Sequence, residues 1–582
     1  LEITSTAAGQ GKSNRTVADI LAAAFARHGV TIAFGQSIPT AFHLVAPEYG
    51  ISQASYRTEN AGGTMADGYA RVSNRVGVVT AQNGPAATLL VPPLAECLKV
   101  SIPVVALVQE VPRANADRNA FQEIDHFKLF DGVAKWIRRV ELPERIDDYV
   151  DMAFTAAASG RPGPAVLLVP ADVLDLPANA PPSARRARLG NFPLDRTVAA
   201  NEQVERAAEL LANAKAPLIV AGGGVHLSQA SAELAALQEK FSLPVGTTVM
   251  GKGAVAETHP LSLGVVGYFM ADGSRTRDMV DLVKGADVIM FVGARTNQNA
   301  TDSWTLYPRD ATYIHLDVDG GEVGRNYEAV RLVGDAKLTL QALSEALARR
   351  DTARRKSMRA EVETKIARAL KIWRGQIETR FLGKTATPLR PEQLMLELDT
   401  LLTPESIVVS DASYSSIWIA NYLTSRAAGQ RFLTPRGLAG LGWGLPLAIG
   451  AQFARPDASV VCLAGDGGFA HCWAEMEILV RHALPVVTIV LNNQILGYQK
   501  HGETVGWGRY TDAVDFRPVD HAAIARAVGV HGVRIDKPAD FLPALKEALS
   551  SRRPTLLDVV TDERAHPPIT SFGTKLARVF VE

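Results

Sequence analysis

The sequence predicts an α/β protein made of three doubly wound parallel-sheet domains. Two observations lead there. Short β-branched apolar runs alternate with segments whose apolar residues recur at three- and four-residue spacing, the signature of βαβ units. These units fall into three blocks separated by stretches of different composition, and 582 residues suit three or four domains of about 150 residues each.

The first block spans about 15–180. VADILAAAFARHGV, from Val17, has helical spacing, while RVGVVTAQ, IPVVALVQ and GPAVLLVPADV read as buried strands. The stretch Pro177–Arg196, rich in proline and arginine and without period, reads as a surface linker. The second block, 197–345, has strand candidates in APLIVAGGGV, ADVIMFVGAR and TYIHLDVD, with SAELAALQEKF as a helix between them. The charged stretch Ala348–Leu382 reads as a solvated helical connection. The third block, 380–570, carries SIVVSDAS, VVCLAGDG, PVVTIVLNN and PTLLDVVTD as strands. No short-period repeat is visible.

Composition excludes several classes. Apolar residues make up 47% and charged residues 21%, ordinary for a protein with packed cores. Acidic and basic residues balance at 61 each, against a nucleic-acid binder. Cys97, Cys462 and Cys472 are too few and too scattered for a disulfide framework or a zinc site, so a reducing, cytoplasmic setting is expected. No run of about 18 apolar residues is present, so no membrane span is expected. The leading LEITSTAAGQGKSNRT lacks an apolar core and reads as a disordered leader.

Chemistry concentrates in the third block. VVCLAGDGG runs from a buried strand into a glycine turn followed by a helical segment. In open parallel sheets ligands sit beyond the carboxyl ends of strands, where glycines and a helix N-terminus favour phosphate. An aspartate there would repel phosphate unless a divalent cation lay between them. Mg²⁺ takes oxygen ligands and combines a few protein oxygens with phosphate oxygens. Asp466 offers a carboxylate, Asn493 an amide oxygen, and the following loop a backbone carbonyl, that of Ile495. The plain alternative is a strand–turn–helix with a capping aspartate and a turn asparagine pair.

GDGG followed by NN resembles the thiamin-diphosphate motif. TENAGGTMADGYAR, Thr58–Arg71, resembles the glutamate-bearing helix of that family's pyrimidine domain. NAFQEIDHFKLF and LTPRGLAGLGWGLPLAIG resemble segments of the acetolactate (acetohydroxyacid) synthase branch. The resemblance covers about 15–570 and implies pyrimidine-binding, middle and diphosphate-binding domains, with thiamin diphosphate and Mg²⁺ as cofactors. It implies that Glu59 bonds the pyrimidine ring, that Leu441 wedges the cofactor into a bend, and that the Ala439 carbonyl accepts from its amino group. Gln122 then faces the thiazolium side, and Phe121 and Ile38 wall the substrate pocket. Tyr414 and Ser415 stand where the branch usually has Gln-His, and Gly467 and Gly468 offer amides to the diphosphate. His43, His126 and His471 stay outside the catalytic set.

The departures concern substrate. GQSIPTAF, with Ile38-Pro39, is similar to oxalyl-CoA decarboxylase and the 2-hydroxyacyl-CoA lyases. Gly502 stands where the synthases carry a tryptophan, and GARTNQNATD lacks the aspartate-aspartate-arginine run whose arginine grips the second acid's carboxylate. AGGGV and VGAR suit a nucleotide, FAD or an ADP moiety. The resemblance implies a synthase-like carboligase acting on a 2-oxo acid or acyl donor. A 2-oxo acid decarboxylase, an acyl-CoA lyase, or a non-catalytic cofactor-binding relative stand as alternatives. A homodimer or homotetramer with sites between subunits is expected.

Overall fold

The computed structural model describes residues 15–178, 184–385 and 387–572. They form two compact units, one of residues up to 66 with 75–194, the other of 67–74 with 195 onward.

The first unit holds one parallel sheet. Its strands are β1 (Ile32–Phe34), β2 (Ser52–Ala54), β3 (Gly77–Ala81), β4 (Val104–Glu110), β5 (Trp136–Arg139) and β6 (Ala165–Pro170), in spatial order 2-1-3-4-6-5. β3, β4 and β6 are apolar on both faces, as strands covered by helices on both sides must be. Helix Val17–Arg27 starts at a capping box, with the Thr16 amide donating to Asp19 at 2.8 Å. Thr16 also bridges Pro177, so the end of the expected leader is ordered; residues 1–14 lie outside the described residues. The described second part of the expected linker is also tied down: Arg185 reaches Asp148 at 2.5 Å and Asp151 at 2.8 Å.

The second unit holds two sheets. The middle one contains β7 (Pro217–Ala221), β8 (Val245–Thr247), β9 (Ser262–Val265), β10 (Val288–Val292), β11 (Thr312–Asp317) and β12 (Ala329–Val333), ordered 12-11-10-7-8-9. The last contains β13 (Ile407–Ser410), β14 (Phe432–Leu433), β15 (Val460–Gly465), β16 (Val487–Asn492), β17 (His531–Ile535) and β18 (Thr555–Val560), ordered 14-13-15-16-18-17. Counted within its own block, that order is the order of the first sheet.

Helix Ala353–Phe381 corrects the reading of a solvated connection. Most of its charged residues face water, though Arg355 is buried, and Ile366, Ala369, Trp373, Ile377 and Phe381 form a buried stripe at three- and four-residue spacing. The first two pack into the core of the middle sheet and the last three into that of the final sheet. A buried Lys252–Glu257 pair at 2.7 Å adds a polar tie, because Glu257 also accepts from the Ser425 amide at 3.0 Å.

Candidate active site

In the last sheet the strand order reverses between β13 and β15, the crevice where an open α/β sheet binds its ligand. Two aspartates sit there, Asp411 directly after β13 and Asp466 directly after β15. They line a cleft with Ser413, Tyr414, Ser415, Leu441, Gly467, Gly468, Asn493 and Ile495.

Asp466 is buried, and its oxygens accept from the Gln494 amide at 2.6 Å and the Gly467 amide at 2.9 Å. Burial still outweighs these bonds and pushes its carboxyl up to about 7. Such a group is well placed to gain a cation, whose field would hold it ionised. Gln494 turns through φ 61° and carries the chain from β16 back over the aspartate. The Ile495 carbonyl accepts no backbone hydrogen bond among the described residues, and so is open to a metal. No group of three His, Cys, Asp or Glu that could hold a metal ion occurs among the described residues. One carboxylate, one amide and one carbonyl, completed by phosphate oxygens, is the donor set of Mg²⁺ rather than zinc.

Strand alternation separates the asparagine pair. Asn492, the last residue of β16, donates to Asp558 at 2.9 Å and to the Val519 carbonyl at 2.9 Å, so it holds structure. Its neighbour Asn493 lines the cavity, as successive side chains of a strand point to opposite faces. Gly467 amends an expectation, since its amide already serves Asp466. The helix Tyr414–Tyr422 opens at the cavity, which places Tyr414 and Ser415 at a terminus that favours anions. The Tyr414 hydroxyl pairs with His501 Nδ1 at 2.7 Å. His471 is exposed outside this set.

Asp411 is the residue that sequence reasoning missed. Fully buried, it accepts from the amides of Gly442 at 3.0 Å, Trp443 at 3.1 Å and Gly444 at 3.3 Å. It thereby clamps the loop that presents half-buried Leu441 to the cavity. Gly468 explains its own identity, because a Cβ there would stand 2.0 Å from Asp411 Oδ2. Ala439 adopts φ 62° on the exposed side of the same loop. The signal for Asp411 was its place, an acid closing an apolar run as Asp466 does.

Comparison with known proteins agrees with this geometry. Residues 15–129, 204–343 and 411–559 match, in turn, the N-terminal TPP binding domain, the central domain and the C-terminal TPP binding domain of the thiamine pyrophosphate enzymes. The chain belongs to the thiamine pyrophosphate enzymes. Within them it falls in the acetolactate synthase branch. It is 33% identical over 536 residues to the probable acetolactate synthase large subunit of Methanococcus aeolicus, covering 90% of this chain and 88% of the relative. It is 32% identical to the acetolactate synthase of Arthrospira platensis over 93% of this chain and 94% of that one. It is 30% identical to the acetolactate synthase isozyme 2 large subunit of Escherichia coli, covering 88% of this chain and 89% of that one.

The first unit of this thiamine pyrophosphate enzyme carries the remaining expected residues. Its strand order reverses between β1 and β3. Half-buried Ile38 follows β1, and Gln82, Asn83 and Gly84 follow β3. Gln82 donates to Gln122 Oε1 at 2.8 Å, and Asn83 donates to the Gln122 carbonyl at 3.1 Å. Gln122 itself adopts φ 62°, and a Cβ on Gly84 would stand 2.6 Å from its carbonyl oxygen. Phe121 is 85% exposed beside it. The Gly84 amide donates to His126 Nε2 at 3.3 Å, which puts the ring proton on Nδ1, facing Glu110 at 3.1 Å. His126 therefore braces this loop from beneath. His43 bonds Thr80 at 2.9 Å, and burial pushes its ring down to about 4. Glu59 opens helix Glu59–Ser73, is 8% exposed, and has its carboxyl pushed upward by burial.

The middle sheet answers differently for a nucleotide. A Cβ on Gly222 would lie 2.3 Å from the Gly293 carbonyl, and one on Gly224 would lie 2.7 Å from Gly293 Cα. These glycines are required for two loops to pack on each other at the reversal between β7 and β10. That packing by itself accounts for the glycine motif.

Proposed function

We propose that this chain is an Mg²⁺- and thiamin-diphosphate-dependent carboligase. It decarboxylates one 2-oxo acid and joins the remaining acyl unit to the carbonyl of another, so that two pyruvates give one acetolactate and one CO₂. The observation that carries this reading is the pairing, at one switch point, of the Asp466–Asn493 donor set with the Asp411-clamped Leu441 loop. The names of the relatives support the choice of product.

When bound, thiamin diphosphate supplies a carbon nucleophile and an electron sink for the bond that breaks. The protein does the rest. Asp466, Asn493 and the Ile495 carbonyl hold Mg²⁺ and with it the diphosphate. Leu441 would pack against the rings of the bound cofactor, and the Ala439 carbonyl would accept from its amino group. Glu59, whose carboxyl burial pushes upward, would hydrogen-bond the pyrimidine ring. Gln122 and Phe121 orient the substrate over the thiazolium. The assembly is a homodimer or homotetramer, with pyrimidine-binding and diphosphate-binding halves of each site drawn from different subunits.

Proton NMR of the purified protein with Mg²⁺, thiamin diphosphate and pyruvate tests this. Acetolactate is expected. Acetaldehyde alone would replace the reading with a decarboxylase. Turnover of an acyl-CoA but not of pyruvate would replace it with the lyase suggested by Ile38-Pro39.

A further inference from the structure

Arg436 lies five residues before Leu441, on the segment leading into the wedge loop. One of its terminal nitrogens donates to Ser416 Oγ at 2.6 Å. Its Nε is buried without a partner, and the guanidinium makes no ion pair among the described residues. The plane is nevertheless held, with its carbon 6.0 Å from the ring centre of Tyr268 and 5.8 Å from that of Phe269. These rings pack edge to face at 4.4 Å. Ser416 is buried and donates to the Ser413 carbonyl at 2.7 Å, and Ser413 lines the cofactor cavity. The structure therefore fixes an arginine beside the cavity with most of its five donors unspent. The side chain is half-buried, so its outer donors stay within reach of a ligand, and its fork matches a carboxylate.

We infer that Arg436 binds the carboxylate of the acceptor 2-oxo acid, with the buried rings of Tyr268 and Phe269 holding its guanidinium from behind. The inference rests on the carboligase reading and adds the acceptor's chemical class. The donor is the poorer choice. Its carboxylate loses charge as CO₂ departs, so a strong ion pair would stabilise the ground state over the transition state. The acceptor keeps its charge from binding to product, so an arginine on it lowers KM and leaves the chemical step alone. The segment 293–302, which lacks the aspartate-aspartate-arginine run expected from resemblance, touches this place: the Tyr268 amide donates to the Asn299 carbonyl at 2.9 Å. The cation is supplied from another element.

The test compares wild type with Arg436→Met, which keeps an apolar stem on the two rings, and with Arg436→Lys. With pyruvate as donor, acceptors are a second pyruvate and, separately, benzaldehyde, which has no charge. Arg436→Met is expected to raise the acceptor KM for pyruvate roughly tenfold to hundredfold. The benzaldehyde reaction, the rate of CO₂ release in a single turnover and the affinity for thiamin diphosphate are expected to stay within twofold. Arg436→Lys is expected to recover part of the loss. Equal losses with both acceptors, or weakened cofactor binding, would overturn the inference, the latter by assigning Arg436 to the diphosphate. Calorimetric titration of the holoenzyme with oxamate, an unreactive 2-oxo acid analogue, reads the same subsite without turnover. If wild type makes no acetolactate, the carboligase reading fails on its own. Oxamate binding lost in Arg436→Met would still support the anion subsite, and unchanged binding would overturn it.

Discussion

Asp411→Asn tests the clamp on the wedge loop. The change is isosteric, so it leaves volume alone and alters only charge and donor pattern. Asp411 accepts from Ala412 at 2.9 Å, from Gly442 at 3.0 Å and from Trp443 at 3.1 Å. The first and third bonds share Oδ1, and the second uses Oδ2. An asparagine keeps one oxygen and must turn its NH₂ toward a backbone N–H, most simply that of Gly442. One charge-assisted bond worth about 1.5–3 kcal/mol is lost, and a buried amide is left facing another donor. Burial raises the carboxyl of Asp411, so neutralising the side chain offsets part of this. A net local cost of about 2 kcal/mol follows. It falls on the three residues after Leu441, so the wedge loses its anchor. A misplacement of about 1 Å is worth roughly a hundredfold in rate. The assay is kcat at saturating Mg²⁺, thiamin diphosphate and pyruvate, with urea unfolding alongside. A variant with kcat within twofold of wild type and unchanged stability would refute the clamp.

Glu59→Gln is expected to lower kcat by roughly a hundredfold or more while the fold survives, checked by circular dichroism beside the NMR assay. Wild-type turnover in that variant would remove Glu59 from the mechanism. Asp466→Ala is expected to raise the Mg²⁺ concentration for half-maximal cofactor binding by at least about tenfold, read by fluorescence titration. The buried histidines set an acid limit. Burial pushes His28, His43, His315, His501 and His566 down to about 4, and His226 to about 3. Their folded values lie below the unfolded value near 6.5, so the unfolded chain takes up protons first. Their contribution is complete above about pH 6.5 and is lost as pH falls toward 4, by on the order of 1 kcal/mol per histidine between pH 7.5 and 5.5. Urea midpoints across that range should fall steeply, and a flat profile would contradict the burial of these rings.

Local pattern carried much of this protein. The central strands β3, β4, β6, β7, β10, β11, β13, β15, β16 and β18 each stand out as apolar runs, because both faces are covered. The strands that escaped are short or at sheet edges. β5 reads WIRR and β17 reads HGVRI, and each has one neighbour, so neither needs a continuous apolar face. Asp466 and Asn493 were legible because a glycine turn and a strand end leave a compositional mark, whereas Leu441 was singled out only through the family resemblance.

The sequence by itself thus determined the three α/β blocks, the glycine-bounded aspartate and its asparagine partner, and the kinship that they carry. Tertiary structure alone decided the matching strand orders of the first and last sheets, which their sequences do not repeat. It alone joined Asp411 to the amides of Gly442, Trp443 and Gly444, and set the guanidinium of Arg436 over Tyr268. The reason is physical. Periodicity reports which face of an element is buried, whereas these contacts depend on which strands lie side by side, and that is settled by packing between segments far apart in the chain.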